Sequence, residues 1–235
     1  MERLFKNLTV AILALGLFFA PVASADDSFK PPAAISVTDA FSILFYTTNQ
    51  IVPDAFVVLD LCLNRKGGIQ KMEVLRDLVS MAKIATSSVR TWKFRPASKE
   101  GEAVASEVPV VFVYRPANMS SIGLPHALEP INLKPAQTGQ HCAKDADYVP
   151  AGIVAAAYQD YPVNSVAWGS VVIQVAIDTA GSLMRTEVLH PMPSFTQFAL
   201  DALRRWRFQA ATLDGQPVDS SIIVAFVFQT PSNPF

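Results

Sequence analysis

The chain has 235 residues, 51% of them hydrophobic and 17% charged, with a formal net charge of −1. That length allows one or two domains with cores of their own. Balanced charge, 19 Lys+Arg against 20 Asp+Glu without a basic run, excludes a nucleic-acid footprint, and two cysteines exclude a disulfide scaffold.

The N-terminus reads as an export signal. Arg3 and Lys6 make a positive region, residues 8–19 an apolar core, and Pro21 precedes the small-x-small site Ala23-Ser24-Ala25. Cleavage after residue 25 leaves 17 basic and 19 acidic residues, a net charge of −2. The alternative is an uncleaved anchor, because residues 7–25 give 19 uncharged positions, about the length of a membrane span. No lipobox cysteine is present.

Beyond the signal the chain repeats itself. Residues 57–114 align without a gap on residues 171–228, at an offset of 114 with 18 identities in 58 pairs. Glu73-Val74-Leu75 falls on Glu187-Val188-Leu189, Trp92-Lys93-Phe94 on Trp206-Arg207-Phe208, and Gly67 on Gly181.

In the first copy a short helix is expected at 38–46, then a strand at 57–64, a turn at Lys66-Gly67-Gly68 and a return strand at 69–75. A helix capped by Ser80 follows, with Met81, Ile84, Ala85, Val89 and Trp92 inward, and a strand at 108–114 closes the unit. Residues 118–150 contain Pro125, Pro130, Pro135 and Pro150 and read as a surface linker or an ordered connector. The second copy starts with a short helix at 151–159. Val171, Ile173, Val175 and Ile177 then alternate with their neighbours as in a half-buried strand, which turns at Thr179-Ala180-Gly181-Ser182 into a strand at 183–189. Ser194 and Gln197 have capping-box spacing. Phe195, Phe198, Ala199, Ala202, Leu203 and Trp206 share one helical face, and Asp214-Gly215 leads into a last strand at 218–229. The fold class is therefore α+β: two tandem small αββαβ domains, each a three-stranded antiparallel sheet packed on a helix. They occupy residues 26–117 and 151–235, with the linker 118–150 between.

The second copy resembles the C-terminal domain of the TonB family of energy transducers. Tyr161-Pro162, Gly169-x-Val171-x-Ile173, Asp178-x-x-Gly181, Pro193, Ala199, Trp206-Arg207-Phe208, Asp214-Gly215-x-Pro217-Val218 and Val224-x-Phe226 carry the likeness. The first copy keeps Gly67, Trp92-x-Phe94-x-Pro96-Ala97 and Gly101, and looks like a degenerate copy without the Tyr-Pro start. The resemblance implies a periplasmic, non-catalytic protein-binding role, linked to outer-membrane transport. Such domains grip a TonB-dependent transporter by adding its N-terminal box peptide to their last β-strand, a β-augmentation. The partner-binding residues expected on that basis are Tyr161 and Pro162 at the start, with Ile222, Ile223, Val224, Ala225, Phe226, Val227 and Phe228 along the strand. Residues 222–228 are apolar on both faces, as an association-prone edge would be. Pro109 stands where Ile223 does in the second copy and should blunt the first copy's edge, so the second domain is expected to take the partner. The alternative is a structural envelope protein or homodimer whose edge strands pair with each other. The long Pro-rich spacer of the transducers is missing, and residues 8–19 carry no polar or ionisable group beyond Thr9, so motor coupling is not expected.

No catalytic constellation, cofactor motif or metal site is expected. His126, His141 and His190 lack paired-ligand spacing, and no GxSxG, P-loop or GxGxxG occurs. Asp60 and Glu73 are read as a solvated pair on the outer sheet face, and Arg204-Arg205-Trp206-Arg207 as cations in a helix's last turn beside a core Trp. An enzymatic site around His190 or Asp60 is the remaining alternative. Export permits a disulfide, and Cys62 with Cys142 would staple the linker across the back of the first sheet.

Overall fold

The computed structural model describes residues 29–40, 54–77, 80–116, 128–133, 147–162, 165 and 167–229. The expected signal, Cys142 and most of the linker lie outside them. Each half of the chain supplies two strands, a helix and a third strand. In the first half these are β1 (Ala55–Leu63), β2 (Ile69–Asp77), α1 (Ala82–Val89) and β3 (Ser106–Pro116). In the second they are β4 (Gly169–Ile177), β5 (Leu183–His190), α2 (Thr196–Leu203) and β6 (Ser220–Gln229).

The turns explain the shared glycines. Asn64 Oδ1 accepts the backbone N–H groups of Lys66 (2.8 Å) and Gly68 (2.9 Å), and Asp178 Oδ1 those of Ala180 (2.9 Å) and Ser182 (2.7 Å). Each is an Asx turn holding a glycine at φ near +80°. A Cβ at Gly67 would lie 2.0 Å from the Phe94 carbonyl oxygen, and one at Gly181 would lie 2.9 Å from that of Phe208. The turn thus closes onto the strand that carries the Trp-x-Phe motif, which is why turn and motif repeat together.

Two separate three-stranded domains are not what forms. The strands make one six-stranded sheet in the order β5-β4-β6-β3-β1-β2. All neighbours are antiparallel except β6 and β3, which run parallel from Ile223 opposite Val110 to Gln229 opposite Pro116. The order is palindromic about that seam. Equivalent strands that run parallel in a palindromic sheet are related by a two-fold axis along the strands, and such an axis turns the sheet over. The helices must then lie on opposite faces, and the cores agree. Val110 packs with Ala85, Val89 and Trp92 on the α1 side, whereas its equivalent Val224 packs with Ala199, Leu203 and Trp206 on the α2 side.

Each core borrows from the other half. Phe56, Val58, Val111 and Val113 belong to the core under α2, and Val172, Ile223, Ala225 and Val227 to the core under α1. Phe56 stacks 4.3 Å from Tyr158 and meets Trp206 edge-on at 6.1 Å. β1, the first-copy match of the strand expected to be half-buried, is buried on both faces, as is β6, whereas Gln174 and Ala176 of β4 remain partly exposed. Asp60, read as solvated on the outer sheet face, is 2% exposed, as is Cys62 on the same strand. The segment around Tyr148 crosses that face and places its buried hydroxyl near Asp60 and Glu107, which together with burial raises the Tyr148 pKa. The reciprocal segment covers β4 and β6: the Ala34 N–H donates to Gln174 Oε1 (2.9 Å), the Ala40 N–H to Ser170 Oγ (2.8 Å), and the Ser221 hydroxyl to the Pro32 carbonyl. Gln174 is the repeat equivalent of Asp60, so both halves are clasped at the same point.

Four local expectations are corrected. Residues 151–159 form a strand, Gly152–Ala156, not a helix. Pro150 precedes it, Ile153 and Val154 are β-branched, and the freed backbone of Arg207–Gln209 after α2 accepts it as a partner, which overrides the helix propensity of three alanines. Residues 38–40 are not helical, and 41–46 lie outside the described residues. Ser80 does not cap α1: it sits at φ 61°, and the Asp77 carboxylate accepts the Met81 (2.8 Å) and Ala82 (2.9 Å) N–H groups instead. Ser194 and Gln197 form no capping box. The Thr196 hydroxyl closes that turn on Met192, and Gln197 reaches Asp201. Within the expected linker, Glu129–Leu133 pairs with Gly152–Ala156 and buries Ile131, while Tyr148–Val149 pairs with Ala211–Leu213, so these parts are ordered connector.

Candidate protein-interaction surface

The last strand is not an edge. Ile222, Ile223, Val224, Ala225, Phe226, Val227 and Phe228 are each 0% exposed. One side of β6 is laddered to β4 and the other to β3. Its backbone groups are committed and both of its faces are cores, so no extended peptide can add there. Pro109 does not protect the first repeat either. It pairs on its β1 side with Asp60, and the parallel seam begins one residue later at Val110, where a backbone N–H is next available.

Tyr161 and Pro162 are not at an edge. The Tyr161 hydroxyl donates to the Ala167 carbonyl (2.6 Å), and its ring lies 5.4 Å from Phe195, which stacks on Phe228 at 4.1 Å. The Pro162 carbonyl accepts the Ser165 N–H at 3.1 Å. This is the foot of the α2 core. Beside it a polar clasp spans the seam: Gln159 Nε2 donates to the Val227 carbonyl at 3.0 Å and the Val113 carbonyl at 3.5 Å, one from each repeat. Arg115, only 4% exposed, donates to the Gln159 carbonyl at 2.7 Å and lies 3.8 Å from Asp160. Burial lowers its pKa, against the opposing pull of Asp54 and Asp160. In the run 204–207, Arg205 donates to the Tyr158 carbonyl (2.9 Å) and Arg207 to that of Trp206 (3.0 Å).

The sheet ends at β2 and β5, and these are its edges. Both carry polar and charged residues that guard an edge against uncontrolled pairing: Gln70 and Lys71 on β2, and Arg185 and Glu187 on β5, are exposed. Val74 (44% exposed) and Met184 (54%) add exposed apolar side chains to those strands. The sequence held part of this signal: a strand with exposed charges suits a border, whereas one apolar on both faces fits an interior strand or an unguarded edge.

His190 ends β5 opposite Val172, and Asp60 stands opposite Glu73 across β1 and β2. Cys62 is disulfide-bonded, while the chain's other cysteine, Cys142, lies outside the described residues. Among the described residues, no helix is long and apolar enough to cross a membrane.

Residues 163–230 match the family model described as Gram-negative bacterial TonB protein C-terminal. They span β4, β5, α2 and β6, so the second repeat carries a TonB C-terminal family domain. The match does not extend to the first repeat. No curated protein and no solved structure matches the chain.

Proposed function

We propose that this chain is an exported, periplasmic, non-catalytic protein-binding module, which recognises an extended segment of an envelope or outer-membrane protein at the outer edges of its sheet. The family domain at 163–230 supports the protein-interaction role and the Gram-negative envelope as its setting. The observation that carries the finer reading is the closed seam. The strand to which the resemblance assigns peptide capture is occupied in parallel by β3 of the same chain, so the first repeat fills the place of a partner. On the six-stranded sheet, augmentation then has two addresses left, β2 and β5. The seam also favours a structural role in which the two repeats pair with each other, but that reading leaves these borders unused.

Photo-crosslinking residues introduced at Gln70 and at Arg185, with Asp201 on the exposed face of α2 as control, test the proposal in envelope-expressing cells. Adducts from an edge position that map to one short segment of an envelope protein, with none from Asp201, are the expected result. Adducts joining two copies of this chain would replace the proposal with a homodimer. Equal labelling from all three positions would overturn edge recognition.

A further inference from the structure

Next to the β2 edge lies a groove of about 780 Å³ lined by Lys66, Lys71, Arg90 and Lys93 over a floor that includes Trp92 and Phe94. Among the described residues no carboxylate lines it. A chain with net charge −1 thus brings four cations together there, with no acid among the described lining residues. The repeat supplies an internal comparison. At an offset of 114, Lys66 corresponds to Ala180, Arg90 to Arg204 and Lys93 to Arg207. In the second repeat Arg204 is neutralised by Asp201 at 2.5 Å and Arg207 bonds backbone carbonyls at 3.0 and 3.4 Å. The equivalent of Asp201 is Ser87, whose hydroxyl bonds only the Lys83 carbonyl, so Arg90 has no such acid beside it. Lys71 makes one long contact, 3.4 Å to Glu73, and Glu73 does not line the groove. The same architecture therefore pairs Arg204 with an acid in one half, whereas its equivalent Arg90 lines the groove beside a serine in the other.

Resting on the protein-binding reading above, we infer that the first repeat's edge takes an acidic extended segment of a partner protein. The segment adds alongside β2 and sets alternate carboxylates toward Lys66, Arg90 and Lys93 in the groove, while Lys71, opposite Cys62, lies on the other face of the sheet. Alternation matters because side chains of a strand point to opposite faces with a period of two. An acid at every second position therefore meets the cations together. The aromatic floor strengthens each pair by excluding water from one side.

The probe is a fluorescent alternating Glu-Thr peptide as long as β2, compared with its Gln-Thr and Lys-Thr counterparts by anisotropy on the full chain lacking only residues 1–25. Binding of the Glu-Thr peptide about tenfold or more tighter than Gln-Thr is expected, weakening with added salt. The triple variant Lys66→Glu, Arg90→Glu, Lys93→Glu should lose that preference. Its equivalents in the second repeat, Arg204→Glu and Arg207→Glu, should keep it. All these side chains except Arg207's backbone contacts are on the exposed surface, and an unchanged urea midpoint verifies that each variant is folded. Equal binding of Glu-Thr and Gln-Thr peptides overturns the inference, as does an unaltered preference in the triple variant. Binding to vesicles of anionic lipid but not to the peptide also overturns it, in favour of a membrane surface. If edge crosslinks from Gln70 persist while the charge preference is absent, the groove fails and edge recognition stands; if both are absent, both fail.

Discussion

Phe112→Ala separates one shared sheet from two independent domains. Phe112 is fully buried in the core under α1, its ring stacked 5.9 Å from Trp92 and 6.1 Å from Tyr114. Truncation costs about 3–5 kcal/mol as a buried Phe→Ala change. With a urea slope of about 2–3 kcal/mol/M for a chain of this size, the midpoint falls by about 1–2 M. The informative quantity is where that loss is felt. Seven Val, Ile or Phe side chains (Phe56, Val58, Val111, Val113, Val172, Ile223 and Val227) pack into the core of the opposite half. At about 1.5 kcal/mol each, their burial is worth about 10 kcal/mol, an upper bound comparable to the whole stability of a domain. Neither half can hold its core once the other unfolds. The assay is urea unfolding of two single-tryptophan reporters, one keeping Trp92 and one keeping Trp206, each with the other two tryptophans replaced by Phe. Phe112→Ala should shift the Trp206 midpoint by as much as the Trp92 midpoint, although the two residues are in different repeats. A Trp206 transition that stays in place while that of Trp92 moves would refute the shared-core reasoning.

Three further outcomes follow from buried polar groups and the disulfide. Burial raises the pKa of Tyr114 and Tyr148, with added contributions from Asp77 for the first and from Asp60 and Glu107 for the second. Their stabilisation is complete below the unfolded value of about 10 and is lost as the pH rises above it. Between about pH 10 and 11 the unfolding free energy from urea titration should fall by about 2 kcal/mol for the two groups, and a flat profile would contradict their burial. Arg115→Met leaves the Gln159 carbonyl unpaired at the seam and should cost about 2–3 kcal/mol, read as a urea-midpoint shift; a change within about 0.5 kcal/mol would remove the clasp from the account. We propose Cys142 as the partner of the bonded Cys62. Cys62→Ser should then slow non-reducing migration and cost about 4 kcal/mol for a closed loop of about 80 residues, whereas unchanged migration rejects the pairing.

The local alphabet of the fold is legible in the sequence because each letter answers to short-range physics. The period-two strands, the Gly67 and Gly181 turns and the helical face from Phe195 to Trp206 all stand where periodicity and turn chemistry put them. The helix starts are less legible, since Asp77, three residues before Ser80 and assigned to no helix, captures the cap with a two-oxygen acceptor. Least legible is the joining of the halves. Composition shows that residues 222–228 are apolar on both faces, and that pattern fits an unguarded edge and an interior strand equally. What decides between them is the presence of a second apolar strand, 108–114, in the same chain. That strand is also apolar on both faces save for Pro109. Two such strands at fixed tether have an effective concentration that no external peptide matches at ordinary abundance.

That competition is the reason a resemblance in sequence need not carry its binding site across. An isolated three-stranded unit with an apolar last strand has one open, sticky border, and a partner's peptide is the natural way to close it. Duplicating the unit supplies a permanent partner of the same composition. Seven register pairs and two cores then bury the border of both copies. The consequence is not a loss of borders, because a sheet that does not close into a barrel always has two. The borders that remain are β2 and β5, the strands that already formed the other edge of each unit. They carry charge where the last strand carried none, so under the proposed edge recognition backbone pairing would act together with charge. The two borders have also diverged: Arg204 is neutralised by Asp201, while Arg90, beside Ser87, faces the groove with Lys66 and Lys93. A duplicated domain with both borders alike would select two identical partners; under the proposed edge recognition, borders that differ in charge would select different ones.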